Sequence, residues 1–196
     1  VKVVQLFSDM KIQNNIAEVI KDHKIIPVVT FKSVADIESV LEKLLIQNIN
    51  CIEITLRTEA ALEAIEKFKK VAPEGFKTGV GTVISSNQVE QCKKLEVDFM
   101  VSPGATEKLI AAMQDSGIAF IPGVMTASEI ISAIEMECQY LKLFPFNIAG
   151  GLTALDHYSK VFSQVKFCPT GGLNSQNYPE VLKLTNVFAV GGSWVL

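Results

Sequence analysis

The chain has 196 residues, 48% of them hydrophobic and 20% charged, with a formal net charge of -3. This is enough chain and apolar content for one well-filled core, with no basic patch for nucleic acid, no acidic tail and no apolar run near the roughly 20 residues that span a bilayer. The four cysteines and two histidines are scattered without metal-ligand or disulfide spacing, so no metal is expected and a reducing, cytoplasmic setting is.

The opening run Val1–Phe7 breaks at Ser8-Asp9, which is too early for a signal-peptide core. An extra helix is then expected over Asn14–His23, ahead of a first strand at Ile26–Thr30. Val34, Ile37, Leu41, Leu44 and Leu45 follow at helical spacing and put one apolar stripe on one face. Further short, β-branched runs predict strands at Cys51–Thr55, Thr78–Val83, Phe99–Ser102, Ala119–Ile121, Leu141–Phe144, Phe167–Pro169 and Val187–Val190. Between them, Ser33-x-x-Asp36, Asn87-x-x-Glu90 and Thr126-x-x-Glu129 carry helix-start spacing, and Asn174 offers another cap.

Strand–helix alternation of this kind implies parallel strands joined by right-handed crossovers. Eight repeats predict a compact (β/α)8 TIM barrel forming a single domain over residues 1–196, an open doubly wound sheet being the alternative. The absence of Gly-x-Gly-x-x-Gly after the first strand weakens the dinucleotide-binding form of that alternative. No helix pattern follows the eighth strand, so the last helix of such a barrel is expected to be missing from this chain, whether trimmed or native.

Active sites on such barrels lie at the C-terminal ends of the strands. In Tyr140-Leu141-Lys142-Leu143-Phe144 a period of two separates Lys142 from Leu141 and Leu143, so a lysine points inward if the leucines pack on helices. A desolvated lysine has some free amine near neutral pH and can attack a carbonyl. The other reading is a lysine that reaches the rim or pairs structurally with Glu53. Glu53, Thr55 and Arg57 share one parity; a carboxylate beside an amine can move protons, and Arg57 offers a fork for a substrate carboxylate. Each has a plain structural alternative, an ion pair for Glu53 and a solvated loop arginine for Arg57. Thr170-Gly171-Gly172 and Gly191-Gly192-Ser193 end two neighbouring strands, where glycines let backbone N–H groups approach an anion closely.

Taken in order, Ile26-Pro27-Val28-Val29, Glu53-Ile54-Thr55-Leu56-Arg57-Thr58, Gly79-Val80-Gly81-Thr82-Val83, Ser102-Pro103-Gly104, Leu141-Lys142-Leu143-Phe144-Pro145, Cys168-Pro169-Thr170-Gly171-Gly172 and Gly191-Gly192-Ser193-Trp194 resemble the 2-keto-3-deoxy-6-phosphogluconate (KDPG) and 4-hydroxy-2-oxoglutarate (KHG) aldolases over nearly the whole chain. The resemblance implies a class I aldolase with Lys142 as the Schiff-base lysine and Glu53 as acid and base through a bound water. It implies that Arg57 and Thr82 hold the pyruvyl carboxylate, that Pro103 and Phe144 shape the pocket, and that Thr170 lies beside the imine. Gly171, Gly172, Gly192 and Ser193 would take a phosphate. A homotrimer acting on a phosphorylated 2-keto acid, with no cofactor, no metal, no nucleic acid and no membrane, is expected. Asn147, Ile148 and Phe146 depart from the family's usual stretch near the mouth and leave the substrate range open. The competing functions are KHG cleavage to pyruvate and glyoxylate, a sugar-phosphate isomerase using Glu53 alone, and a non-catalytic anion-binding barrel.

Overall fold

The computed structural model describes residues 12–196. A 3-10 turn at Ile12–Asn15 and a single helical turn, α1 (Ile16–Val19), precede the first strand. The strands and helices then alternate: β1 (Ile25–Val29), α2 (Ile37–Ile46), β2 (Cys51–Thr55), α3 (Ala61–Val71), β3 (Lys77–Gly81), α4 (Ser86–Lys94), β4 (Phe99–Val101) and α5 (Glu107–Asp115). They continue as β5 (Ala119–Ile121), β6 (Gly123–Val124), α6 (Ala127–Glu135), β7 (Tyr140–Leu143), α7 (Gly151–Val161), β8 (Lys166–Pro169), α8 (Tyr178–Val181) and β9 (Val190–Gly192).

A six-stranded sheet runs β5-β4-β3-β2-β1-β9 and a three-stranded sheet runs β6-β7-β8. Every pairing is parallel. Two bridges, Phe167 to Val187 and Thr170 to Gly191, carry β8 to the segment that ends in β9. At the other edge only Pro122 separates β5 from β6, because a residue without an N–H cannot continue the ladder. The result is a strongly curled parallel α/β sheet with its helices outside.

Side-chain parity sorts the core into two layers. Ile52, Ile54, Val80, Met100, Phe120, Leu141, Leu143 and Phe167 join helix residues such as Leu44, Ile65 and Phe68 in one buried cluster. Fully burying each side chain of this size contributes about 1.5–3 kcal/mol. The alternate residues Cys51, Phe99, Val101, Ala119, Ile121 and Cys168 join Ile16, Ile20 and Ile26 in a second cluster enclosed by the sheet. Phe99 fits there because β3 offers Gly79, where a β-carbon would lie 2.2 Å from the ring.

Three local expectations need correction. Of the helix expected over Asn14–His23 the structure shows the short α1 after the 3-10 turn, with Ile16 and Ile20, one helical turn apart, buried against the strands. The eighth strand lies later than Val187–Val190: Val187 makes one bridge, and the paired run is Val190–Gly192, which meets Ile25–Pro27 of β1. Ser85 rather than Asn87 caps α4, its hydroxyl accepting from the Gln88 N–H at 3.3 Å. The Thr126–Glu129 box forms in both directions as expected, whereas Ser33 caps a 3-10 turn by accepting from Ala35 N–H.

Gln13 was not expected to matter. It is 1% exposed and stitches the ends of β5 and β7, which do not pair at this level. Its amide donates to the carbonyls of Phe120 (3.0 Å) and Tyr140 (2.6 Å), and its oxygen accepts from the Gln139 and Tyr140 N–H groups. Among the described residues no helix is long and apolar enough to cross a membrane.

Candidate active site

Lys142 and Glu53 meet inside the curl. Leu141 and Leu143 pack outward with the helices, and Lys142 between them projects inward, with Nζ 3.2 Å from Glu53 Oε1. The two side chains are only 4% and 3% exposed, so the amine and carboxylate lie almost wholly out of water. Glu53 reaches this position across β3, where Gly81 leaves the room: a β-carbon there would fall 2.0 Å from Oε1. The Phe144 ring stands 5.2 Å from Nζ, measured to its centroid, and walls the amine on one side. In the ladder of β7 and β8, Lys142 faces Cys168. Burial pushes that thiol up to about 12, against the pull of Lys142 and with a further push from Glu53; it stays neutral beneath the pair.

Beyond Phe144 opens a cavity of about 340 Å³, which Lys142, Glu53 and Thr82 do not themselves line. Arg57, Phe144, Thr170, Gly171, Gly172, Gly192 and Ser193, all expected in a site, line it together with Val28, Thr30 and Leu173. Gly171 and Gly172 have φ of +95° and +79°, the left-handed region that glycine adopts freely. A side chain at Gly172 would also strike Asn147, whose β-carbon would be 2.6 Å away. The turn after β8 is thereby packed onto the loop after β7, and Asn147 N–H donates to the Gly171 carbonyl at 3.2 Å. Thr170 is buried, its hydroxyl lying where a Gly191 β-carbon would come within 2.4 Å. The Trp194 ring covers Gly192 in the same way, at 1.8 Å from a β-carbon there. Small residues at these strand ends thus let backbone and hydroxyl groups close on a ligand, which suits an anion.

The exposed Arg57 donates from Nε to the Thr82 hydroxyl at 3.1 Å. Thr82 holds φ at 61°, a costly conformation for a β-branched residue that persists where the surroundings over-determine it. Pro103 is half-buried at the end of β4, and its carbonyl lies against Gly123; it does not line the cavity. Sequence reasoning passed over Thr30 and Gly81. The first was signalled by its inward parity with Val28, and the second by the alternation of glycines at 79 and 81.

Comparisons with known proteins agree with this geometry. The family model described as KDPG and KHG aldolase matches residues 16–196. The KHG/KDPG aldolase of Escherichia coli K12 is 36% identical over 172 residues, covering 88% of this chain and 80% of that protein. A structure of the KDPG aldolase of Legionella pneumophila, with pyruvate captured as a covalent carbinolamine, is 41% identical with a TM-score of 0.88, covering 92% of this chain and 87% of that one. The Zymomonas mobilis KDPG aldolase with 3-phosphoglycerate is 35% identical with a TM-score of 0.89, over 94% of this chain and 87% of that one.

Proposed function

The chain belongs to the KDPG and KHG aldolase family, and from that premise we propose that it is a class I aldehyde-lyase cleaving KDPG to pyruvate and glyceraldehyde 3-phosphate through an imine on Lys142. The observation that carries the reading is the buried Lys142–Glu53 contact at 3.2 Å, with Phe144 between it and a cavity rimmed by glycine turns.

The neutral Lys142 amine attacks the C2 ketone to give a carbinolamine, and Glu53 supplies and recovers the protons as water leaves. The protonated imine is then an electron sink. Glu53 removes the proton of the C4 hydroxyl, the C3–C4 bond breaks, and its electron pair flows into the imine to give an enamine. Glyceraldehyde 3-phosphate departs, C3 is protonated, and water hydrolyses the imine to release pyruvate and free Lys142. Arg57, braced by Thr82, is placed to meet the pyruvyl carboxylate. Phe144 shapes the site, with Pro103 set back from the cavity at the end of β4; Thr170 stands beside the imine, and Gly171, Gly172, Gly192 and Ser193 take the phosphate.

Cleavage of 4-hydroxy-2-oxoglutarate by the same lysine is the second reading, favoured by the double name of the Escherichia coli relative. The described residues are read as one closed (β/α)8 barrel domain, with the N-terminal turn as an addition. The bridges between β8 and the β9 segment, and the contact of β5 with β6 through Pro122, support closure. A homotrimer, expected from the family resemblance, would cover apolar side chains that stand exposed, such as Ile84 and Ile131; light scattering would measure it. Four buried, unpaired cysteines support a cytoplasmic setting.

Incubation with pyruvate and borohydride, followed by intact mass and peptide mapping, tests the mechanism. A reduced pyruvyl adduct on Lys142 is the expected result. A folded protein that gains no adduct would overturn the imine.

A further inference from the structure

Thr30 and Thr55 form a hydroxyl pair at the cavity wall, Thr30 lining it and Thr55 behind. β1 and β2 pair with Val28 opposite Glu53 and Val29 opposite Ile54, so Thr30 continues the register beside Thr55, one pleat beyond Glu53. Their hydroxyl oxygens are 2.7 Å apart. Thr55 is fully buried, and among the described residues its hydroxyl has no other hydrogen-bond partner. Thr30 is exposed and lines the cavity. Either oxygen could donate across this contact, but a buried O–H left without an acceptor costs more than an unused lone pair, which favours Thr55 as the donor. Thr55 therefore donates and Thr30 accepts, which leaves the Thr30 hydrogen for an acceptor in the cavity.

The position of that donor is informative. On its other edge β1 pairs with β9, Pro27 facing Gly192. Thr30 thus stands between Glu53 on one side and the Gly192–Ser193 turn on the other. A ligand with its ketone at Lys142 and its phosphate at the glycine turns must carry its intervening carbons past this hydroxyl. The geometry points to Thr30 as a specificity-determining residue, oriented by Thr55, that donates a hydrogen bond to the hydroxyl on C5 of the phosphorylated keto acid. In the reverse, bond-forming direction that atom is the 2-hydroxyl of glyceraldehyde 3-phosphate. The inference rests on the aldolase reading given above.

The test is a cycle between protein and ligand. Pyruvate is condensed with glyceraldehyde 3-phosphate and with its 2-deoxy analogue, by wild type, Thr30→Val and Thr30→Ser. Wild type is expected to prefer the hydroxylated aldehyde by about tenfold in kcat/KM, the scale of one neutral hydrogen bond. Thr30→Val should erase the preference, and Thr30→Ser should keep it. A preference that survives Thr30→Val overturns the assignment, as does an equal loss on both aldehydes. If Thr30→Val does not fold, Thr55→Val is read instead: it should narrow the preference several-fold, and an undiminished preference overturns the orienting role. Borohydride trapping of pyruvate is run on wild type alongside. An adduct on Lys142 with no aldehyde preference sinks this inference alone, whereas no adduct sinks the aldolase reading beneath it.

Discussion

The Glu53 carboxylate fills the volume in which a β-carbon on Gly81 would have to sit, 2.0 Å from Oε1 and 2.7 Å from Cδ. Gly81 has an ordinary φ, so space and not backbone freedom calls for glycine there. Gly81→Ala should push the carboxylate off Lys142 and lower kcat about 10²-fold, the cost of an ångström-scale misplacement. Adding Glu53→Ala together with Lys142→Met should raise the melting temperature above that of Gly81→Ala alone, because the new methyl then occupies vacated space and no buried charge is left unpaired. Thermal melts and steady-state kinetics on the two variants check both statements.

Removing either partner of the buried pair has different consequences for chemistry and for folding. Lys142→Met should abolish the borohydride-trapped pyruvate adduct. It should also cost about 3–5 kcal/mol in urea unfolding, since it strands a carboxylate out of water. Lys142→Met/Glu53→Leu should recover much of that stability while staying inactive. Glu53→Gln keeps the shape and should slow turnover by about 10²–10⁴-fold.

Burial pushes the thiols of Cys51, Cys92, Cys138 and Cys168 up to about 12. Native protein at pH 8 should therefore not react with an aromatic disulfide reagent until it is unfolded. The unfolded chain loses these protons near pH 9, and the folded chain holds them to about 12. The stability they lend is complete below about pH 9 and declines as pH rises toward 12, by about 1.4 kcal/mol per pH unit for each thiol. Melting temperatures from pH 8 to 10.5 should fall, and more shallowly for Cys92→Ala.

Gln13→Ala should destabilise by about 3 kcal/mol, because it strands buried carbonyls and N–H groups at the ends of β5 and β7. Its KM should stay within about twofold of wild type, since Gln13 lies at the opposite end from the cavity. Urea unfolding and kinetics separate the two effects.

Most of the architecture was legible because strand parity and helix spacing are local signals. Lys142 between two leucines, and Glu53 among Ile52 and Ile54, already told inside from outside. The two glycine turns marked one wall of the cavity. What lay beyond reach depended on partners distant in sequence. Gln13 earns its role only through Phe120 and Tyr140, more than a hundred residues away. The split at Pro122 and the late start of β9 are set by which neighbour is available to pair. Gly81 and Thr30 look unremarkable until Glu53 and Thr55 stand beside them.

Among the described residues, Ile16, Ile20 and Phe99 fill the lower end of the curl, which leaves the cavity at the other end as the approach to the site. On the aldolase reading, what reacts at Lys142 comes in from the cavity lined by Phe144, Arg57 and the glycine turns. On that reading the carbons bonded to the lysine are the deepest, and the phosphorylated fragment lies between them and the exit. The aldehyde must therefore depart before the keto acid can, and water for the last hydrolysis must follow it in by the same route. Traffic through this enzyme is thus a queue, in which the plugged end dictates that what binds deepest leaves last.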